Sequence, residues 1–555
     1  MSKSPEAVSF ARIWTARRTG PRLLVVAVAL AMLAAMTGTS TAATYDPATD
    51  VNSMFNTTQY TGATAWWNAG YTGAGVDVAL IDTGVSPVPG LDTPGKIIYG
   101  PDLSLESQAP NLTNLDTNGH GTFMASLIAG KDSTLTAPYA SAPASAYRGM
   151  APDARIVSLK VGVADGGVDV SQVIAAIDWV VQHAHDPGLN IRVINLSYGT
   201  DSIQAYSVDP LAFAIEQAWK AGIFVVAATG NNGFVAHTGS LTNPAYDPKI
   251  FAVGATDSMG TTSTADDTVA SFSSTGSTSR YVDVVAPGSH LVSLRVPGSY
   301  IDLMHGDTGY VTDRFFRGSG TSTAAAIVSG AAALAIQKNP TITPNYLKNL
   351  FLGNTTTLSG FSTQRQGLGE VNLSEMLSAP LLAPSRSWNR IAWSTGTGSL
   401  ELSRGTDHIA MDGVVLSGEQ DIMGSPFDSA AMAALEAQAK SWSGGTWNGK
   451  SWSGASWSGA SWSGVSWSGA SWSGKSWSSC VFSGASWSGA SWSGASWSGA
   501  SWSGASWSGA SWSGASADTV QGNAVQSSAS ASDASASDAS ASDASSVTWG
   551  TGSWS

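Results

Sequence analysis

The 555-residue sequence has one cysteine, few charged side chains and no long apolar run after its N-terminus. The single Cys480 excludes a disulfide within the chain, and we interpret it as incidental because low-complexity sequence surrounds it. Charged residues make up 12% of the chain, with a formal net charge of -13. The body of the chain has no cluster of Lys and Arg, which argues against a nucleic-acid partner. We also expect no transmembrane anchor in the mature chain.

Residues 1–43 have the pattern of a secretory signal peptide. Four arginines between Arg12 and Arg22 precede the apolar stretch Leu23–Met36, which is short for a membrane span, and small residues end at Ala43. The pattern predicts cleavage after Ala43 and an extracellular protein; the alternative is an uncleaved N-terminal anchor. Residues 44–60 then form a short pro-region or N-terminal arm.

Residues 61–379 alternate apolar strands with helical segments. The predicted strands are Val76–Ile81, Arg155–Val163, Ile191–Leu196, Ile223–Ala228 and Ile250–Ala255, and the predicted helices are Val170–His185 and Leu211–Ala221. Strands separated by helices of this length predict an α/β fold with a doubly wound, mostly parallel sheet. In such sheets ligands bind beyond the carboxyl ends of the strands.

The chain becomes low in complexity after this region. Residues 380–440 are predicted to be a linker with at most a small ordered insert, and residues 441–516 repeat Ser-Trp-Ser-Gly-Ala in steps of five. A period of five matches neither a helix nor a strand. It fits either a pentad solenoid with one bulky residue per edge or a flexible tail. Residues 517–555 are rich in Ala, Ser and Asp and are predicted to be disordered.

Four short segments carry side chains that are suited to catalysis. They contain Asp82 after a predicted strand, His120 between two glycines, Asn231 after a strand and Ser322 at the start of a small-residue helix. Each has an ordinary structural explanation as a turn acid, a structural histidine, a turn amide or a helix cap. Asp-Thr-Gly also occurs in aspartic peptidases, but these enzymes need two such motifs and the chain has one.

The order Asp, His, Asn, Ser is the feature that joins these segments. The motifs IDTGV, NGHGT, AATGNNG and GTSTAAA resemble the signature blocks of subtilisin-like serine peptidases, and the resemblance runs from about Ala63 to Leu377. It implies a secreted serine endopeptidase with the catalytic triad Asp82, His120 and Ser322. It also implies an oxyanion hole at Asn231. The implied substrate-binding strand edge is Ser197, Tyr198 and Gly199.

The sequence departs from the family pattern at several positions. Tyr198 stands where the family usually has Leu and is expected to alter a subsite, while Thr323, Ala326, Phe123 and Ser126 replace other common residues. No cofactor and no catalytic metal are expected. The family often binds structural calcium, for which Asp92 is a candidate ligand; the alternative is that Asp92 is an ordinary loop carboxylate. The expected partners are protein or peptide substrates.

The tryptophan repeat also supports a second hypothesis from a different functional class. Exposed aromatic faces stack on sugars, so the repeat is a candidate binder of cell-wall polysaccharide. In the alternative function, the chain is a catalytically weak or inactive subtilase scaffold that binds cell wall or carbohydrate through its tail.

Overall fold

The computed structural model describes residues 45–109, 111–233, 241–384, 390–411 and 414–451, followed by short strands between Ala460 and Thr548. The predicted signal peptide and Cys480 lie outside the described residues. Within the described residues, no helix has the length and apolar character needed to cross a membrane.

The described residues between 54 and 378 contain twelve strands and ten α-helices. The strands are β1 (Asp77–Asp82), β2 (Ile97–Asp102), β3 (Arg155–Lys160), β4 (Ile191–Leu196), β5 (Phe224–Ala228), β6 (Phe251–Asp257), β7 (Thr268–Val269), β8 (Val284–Pro287), β9 (Leu291–Leu294), β10 (Phe315–Ser319), β11 (Thr355–Thr356) and β12 (Glu370–Val371). The helices are α1 (Met54–Tyr60), α2 (Ala63–Asn68), α3 (His120–Ala129), α4 (Val170–His183), α5 (Pro210–Lys220), α6 (Tyr300–Gly309), α7 (Thr321–Lys338), α8 (Pro344–Leu352), α9 (Thr363–Gln366) and α10 (Leu373–Ser378).

The central sheet has the strand order β11-β12-β8-β6-β5-β4-β1-β3-β2, and β7 pairs with β6. The strands from β12 to β2 run parallel, and β11 and β7 pair antiparallel. All six residues of β1 are buried, as expected for a strand that helices cover on both faces. The predicted α/β fold with a mostly parallel sheet is confirmed.

Helix α7 lies against the centre of this sheet and is buried over almost its whole length. Its residues are mostly Ala, Ser and Gly, and it packs on α3 as well as on β4, β5 and β6. Small side chains permit this close approach: a Cβ at Gly330 would lie 3.1 Å from the carbonyl oxygen of Ile128 in α3. The N-terminus of α7 thereby reaches the edge where β4 and β5 end.

The C-terminal segment, which we define as residues 390–451, packs on helices α4 and α5. It contains α11 (Leu400–Arg404), β13 (Ala410–Met411), β14 (Val414–Val415), α12 (Ser429–Glu436), β15 (Trp442–Ser443), β16 (Thr446–Trp447) and β17 (Lys450–Ser451). This differs from the linker that the sequence predicted over residues 380–440. The Gly- and Ser-rich composition gives no sign of this ordered structure, because side-chain contacts with distant residues stabilise much of it.

Two tryptophans of the first pentads anchor this segment. Trp442 is 9% exposed and its Nε1 donates to the Ala175 carbonyl, 2.7 Å away. Trp447 is fully buried and its Nε1 donates to Asp178 Oδ2, 2.7 Å away. Strands β15, β16 and β17 form an antiparallel meander, so the repeat begins as part of the packing against α4.

Later pentads contribute only short strands to the described structure. They are β18 (Ala460–Trp462), β19 (Val465–Trp467), β20 (Ser476–Ser478), β21 (Val481–Ser483), β22 (Trp487–Ser488), β23 (Ser491–Ser493), β24 (Ser496–Ser498), β25 (Ser501–Ser503), β26 (Trp507–Ser508) and β27 (Ser511–Ser513). The region after the repeat contains β28 (Ala517–Asp518), β29 (Gln521–Gly522) and β30 (Val547–Thr548). Several pairs are parallel between residues 20 positions apart, as for Ser476 with Ser496 and Ser491 with Ser511, which is the spacing of four pentads. The Ala/Ser/Asp run at 529–545 lies outside the described residues.

The contact between α4 and the C-terminal segment leads to a prediction about pH. Burial raises the pKa of Asp178 from 3.8 to about 7, and burial together with Asp178 raises the pKa of Glu436 well above its usual value. The folded state therefore keeps a proton that the unfolded chain releases. The stability from protonated Asp178 is complete below pH ~4 and is lost as pH rises through ~7.

Asp178→Asn keeps an acceptor for Trp447 but does not titrate. Between pH 5 and pH 8 the wild type should lose about 2–3 kcal/mol more free energy of unfolding than this variant. Urea unfolding at both pH values measures the difference. Asp186→Asn, an exposed site just after α4, is the matched control and should follow the wild type. Equal pH slopes for wild type and Asp178→Asn would contradict the prediction.

Candidate active site

Asp82 and His120 form a buried contact at the carboxyl edge of the sheet. Asp82 is the last residue of β1 and His120 is the first residue of α3. His120 Nδ1 lies 2.8 Å from Asp82 Oδ1, and each residue is 1% exposed. A carboxylate only accepts, so Nδ1 carries the hydrogen, and in the neutral ring Nε2 is then the basic nitrogen. The Thr83 backbone N–H also donates to Asp82 Oδ1, at 2.7 Å.

The glycines on both sides of His120 permit this close approach. Gly119 has φ of 104°, in the left-handed region that favours glycine. A Cβ at Gly121 would lie 2.1 Å from the Gly84 carbonyl oxygen and 3.1 Å from Asp82 Oδ1. Any side chain at residue 121 would therefore push α3 away from the loop that follows β1.

Asp116 forms hydrogen bonds with both the loop that follows β1 and the start of α3. The sequence interpretation did not identify it. Its Oδ1 lies 2.8 Å from Thr83 Oγ1 and accepts from the Gly119 N–H at 2.7 Å. Its Oδ2 accepts from the N–H and hydroxyl of Thr122, at 2.7 and 2.6 Å. Burial raises the pKa of Asp116, and these hydrogen bonds act in the opposite direction. The spacing of an acid four residues before His120, at the start of a helix, was the available signal.

Thr83 completes the connection between the two segments. Its Oγ1 accepts from the Gly121 N–H at 2.9 Å, so one hydroxyl bridges the backbone of α3 and Asp116. Thr83 is fully buried beside Asp82. The positions of Asp82 and His120 thus depend on one continuous set of hydrogen bonds.

A buried lysine stabilises the loop that contains Thr83. Lys160, at the end of β3, is fully buried and donates from Nζ to Thr83 O at 3.0 Å and Leu115 O at 2.6 Å. It also pairs with Glu106 Oε2 at 2.7 Å. Burial acts to lower the pKa of Lys160, but Glu106 and other nearby carboxylates outweigh it and raise the pKa. The lysine therefore stays charged and ties β3 to the loops around residues 83 and 115.

Asn231 is held against the turn that precedes Ser322. The Thr321 backbone N–H lies 2.9 Å from Asn231 Oδ1, and because an N–H can only donate, this atom is the amide oxygen. Thr321 Oγ1 lies 3.1 Å from the same oxygen and 3.1 Å from the Gly230 nitrogen. The Asn231 NH₂ group is therefore the donor side of a side chain whose orientation is fixed.

Ser322 is the second residue of α7 and is fully buried. Its hydroxyl makes no hydrogen bond to the described residues, and a buried hydroxyl without a partner calls for a functional explanation. Because α7 packs on α3, the helices that carry Ser322 and His120 lie side by side. The neighbouring Thr323 hydroxyl lies 2.8 and 2.6 Å from the Gly288 and Gly320 carbonyls, so packing explains this departure from the family pattern.

The predicted substrate edge follows directly after β4. Ser197 Oγ accepts from Asn195 Nδ2 at 3.0 Å, and a Cβ at Gly199 would lie 2.4 Å from Thr242 Oγ1. Tyr198 is only 1% exposed, and burial raises the pKa of its phenol well above its usual value. The Tyr198 side chain is therefore enclosed by protein, and its effect on a subsite stays a prediction.

Asp92, the candidate calcium ligand, has a local structural role. Its Oδ1 accepts from the Gly90 N–H at 3.2 Å, within its own loop. In the described part of the chain, no group of three or more His, Cys, Asp or Glu side chains is arranged to hold a metal ion.

Comparison with known proteins identifies a family and sequence relatives of this chain. A model of the subtilase family matches residues 73–369. The chain is 37% identical over 307 residues to serine protease AprX of Bacillus subtilis (strain 168), covering 54% of this chain and 66% of that protein. It is 34% identical over 310 residues to subtilisin Savinase of Lederbergia lenta, covering 56% of this chain and 93% of that protein.

A solved structure is also similar to part of the chain. Fervidolysin from Fervidobacterium pennivorans, described as a keratinolytic enzyme related to subtilisin, matches with a TM-score of 0.47 and 25% identity. The match covers 59% of this chain and 46% of fervidolysin, so the chain spans about half of that protein.

The bridge through Thr83 leads to a stability prediction. Thr83→Val keeps the shape of the side chain, but the Gly121 N–H loses its acceptor and Asp116 Oδ1 keeps only the Gly119 N–H as a donor. We expect a loss of about 1–3 kcal/mol in the free energy of unfolding, because both groups are buried. Thr83→Ser keeps the hydroxyl and should recover most of this loss. Equal stabilities of the two variants in urea unfolding would show that the hydroxyl bridge does not matter.

Proposed function

This chain belongs to the subtilase family, and from that we propose that it is a secreted serine endopeptidase that uses Ser322, His120 and Asp82. The observation that carries the proposal is the contact of 2.8 Å between His120 Nδ1 and Asp82 Oδ1, buried at the edge where the nucleophile helix begins. The predicted signal peptide, residues 1–43, supports the extracellular location. The substrates are proteins or peptides.

The first step is acylation of the nucleophile. Ser322 Oγ attacks the carbonyl carbon of the substrate peptide bond while His120 Nε2 takes the hydroxyl proton. The imidazole becomes a cation, and the Asp82 carboxylate at Nδ1 stabilises it. Because both groups are shielded from water, this attraction is stronger than it would be at the surface.

The negative charge on the carbonyl oxygen needs fixed donors. The Asn231 NH₂ group and the Ser322 backbone N–H supply two hydrogen bonds, and the N-terminus of α7 adds a favourable field. The bond from Thr321 to the Asn231 oxygen holds the amide before the substrate arrives. This donor therefore needs no reorganisation during the reaction.

The second half of the reaction releases both products. His120 returns its proton to the leaving amine, the peptide bond breaks, and an acyl ester remains on Ser322. Water then attacks this ester with His120 again accepting the proton, and the free acid leaves. The backbone of Ser197–Gly199 pairs with the extended substrate and sets its register.

The carbohydrate-binding alternative depends on exposed tryptophans in the repeat. The first two, Trp442 and Trp447, are instead buried and bonded to α4 through their indole nitrogens. These two side chains act in packing. Binding of cell-wall polysaccharide by the later pentads stays a separate hypothesis. A pull-down of the full chain with peptidoglycan tests it.

The identity of the nucleophile can be tested directly. A sulfonyl fluoride should label Ser322 and abolish cleavage of denatured casein, because it esterifies an activated serine. Ser322→Ala should remain folded, take no label and lose at least about a thousandfold in kcat. Mass spectrometry locates the label. A folded wild type that cleaves nothing and takes no label would contradict the proposal.

The role of Asn231 can be separated from its anchoring contact. Asn231→Asp keeps an oxygen for the Thr321 N–H but replaces the donor by an acceptor, while Asn231→Ala removes both. Both variants should lose about a hundred- to a thousandfold in kcat, a size carried over from the corresponding donor of subtilisin. Kinetics with a peptide anilide measure this loss. An aspartate variant as active as wild type would exclude the oxyanion role.

A further inference from the structure

We propose that residues 399–407 of the C-terminal segment form the rear wall of the substrate-binding edge, with Thr200 and Arg404 as the positioning residues. This inference rests on the proposed function, because it concerns the edge at Ser197–Gly199. The wall lies beyond the part of the chain that the family model matches, which ends at residue 369.

The wall contacts the edge where the proposed substrate strand ends. Thr200, directly after Gly199, donates from its hydroxyl to the Ser403 carbonyl at 2.6 Å. Asp201 accepts from the Thr406 N–H at 2.6 Å and from its hydroxyl. A Cβ at Gly405 would lie 2.8 Å from the backbone carbon of Asp201 and 2.8 Å from the backbone nitrogen of Ser202, so only glycine allows the two backbones to come this close.

The wall also holds the loop on the other side of the edge. Ser403 Oγ lies 3.1 Å from Asn243 Nδ2 and donates to Asp209 Oδ1 at 3.1 Å. Asn243 in turn pairs with Thr200 through both backbone groups, at 2.9 Å each. Ser403 thereby joins two neighbouring stretches of backbone, both buried.

These stretches lead directly to the proposed oxyanion site. Thr242, next to Asn243, fills the space between the edge and the strand that precedes Asn231. A Cβ at Gly199 would lie 2.4 Å from its Oγ1, and a Cβ at Gly230 would lie 2.6 Å from its Cγ2. A shift of the wall would therefore move Gly199 and Gly230 relative to each other, because the packing leaves no free space.

Arg404 fixes the wall to the core of the domain. Arg404 and Asp169 are both fully enclosed, and Arg404 Nε lies 2.6 Å from Asp169 Oδ1. The guanidinium also donates to the Gly418 carbonyl at 2.7 Å and to the Gln420 carbonyl. Asp169 caps the start of α4. Since a buried charge without its partner is strongly unfavourable, the ion pair holds the wall in one place.

The geometry assigns a role in substrate affinity and not in bond cleavage. The wall contacts the rear of the edge and touches none of Asp82, His120 or Ser322 through the bonds described above. An extended substrate that adds to a strand edge needs the N–H and C=O groups of that edge at fixed positions. Loosening the wall should therefore weaken binding of substrate while the acylation machinery stays intact.

Thr200→Val and Thr200→Ser test the bond to Ser403. With peptide anilides, Thr200→Val should raise KM about five- to tenfold with kcat within about twofold of wild type, and Thr200→Ser should restore KM. The rate of sulfonyl fluoride labelling should stay unchanged in both. A normal KM for Thr200→Val, or a loss confined to kcat, would overturn the proposal.

A second pair of variants tests the wall without any catalytic readout. Arg404→Met should increase amide hydrogen exchange of the peptides that contain residues 197–201 and 241–246, measured by mass spectrometry on the full chain. Arg390→Met, at an exposed arginine of the same segment, is the control and should leave exchange unchanged. If exchange at the edge rises equally in both variants, or in neither, the wall has no positioning role.

The two proposals fail in different ways. An inactive, unlabelled wild type would contradict the peptidase function, whereas the exchange comparison would still decide whether the wall holds the edge. If Arg404→Met does not fold, the variants Thr200→Ser and Thr200→Val still test the proposal. Serine keeps the hydroxyl that bonds to the Ser403 carbonyl, and valine lacks it.

Discussion

The buried carboxylate of Asp116 is the constraint on which the proposed chemistry depends. A histidine base must keep one tautomer and one orientation, and here its partner acid comes from a strand end 38 positions earlier in the chain. Asp116 accepts hydrogen bonds from both segments, and Thr83 and Lys160 complete the connection. A site built on a sheet edge and a helix start is more rigid than one built on loops alone. Gly119 and Gly121, which have no side chains, leave space for the close contact between Asp82 and His120.

The C-terminal segment changes the boundary of the domain. Its contacts with α4 and α5 include a fully buried ion pair and two buried indoles, so residues 390–451 belong to the same folded unit as the sheet. The first pentads of the repeat thus have a packing function.

The departures from the family pattern are explained by packing around the site. Phe123 is buried, and the Ser126 hydroxyl donates to the Phe123 carbonyl at 2.8 Å and also contacts Ser293. The Thr323 hydroxyl bonds to backbone carbonyls, and the Tyr198 side chain is buried. None of these changes removes a group that the proposed reaction needs.

The sequence by itself determined the parallel α/β sheet and the segments that carry the proposed site. Continuous apolar strands such as β1 and β4, and glycines around His120, are local signals that depend on nearest neighbours in the chain. Asp116 was not identified, because an acid in a loop becomes informative only when its four donors are known. Residues 380–440 were predicted to be a linker with at most a small ordered insert, since Gly and Ser give no periodic pattern. Only the tertiary structure decided these points, because contacts such as Arg404 with Asp169 join residues that are 235 positions apart.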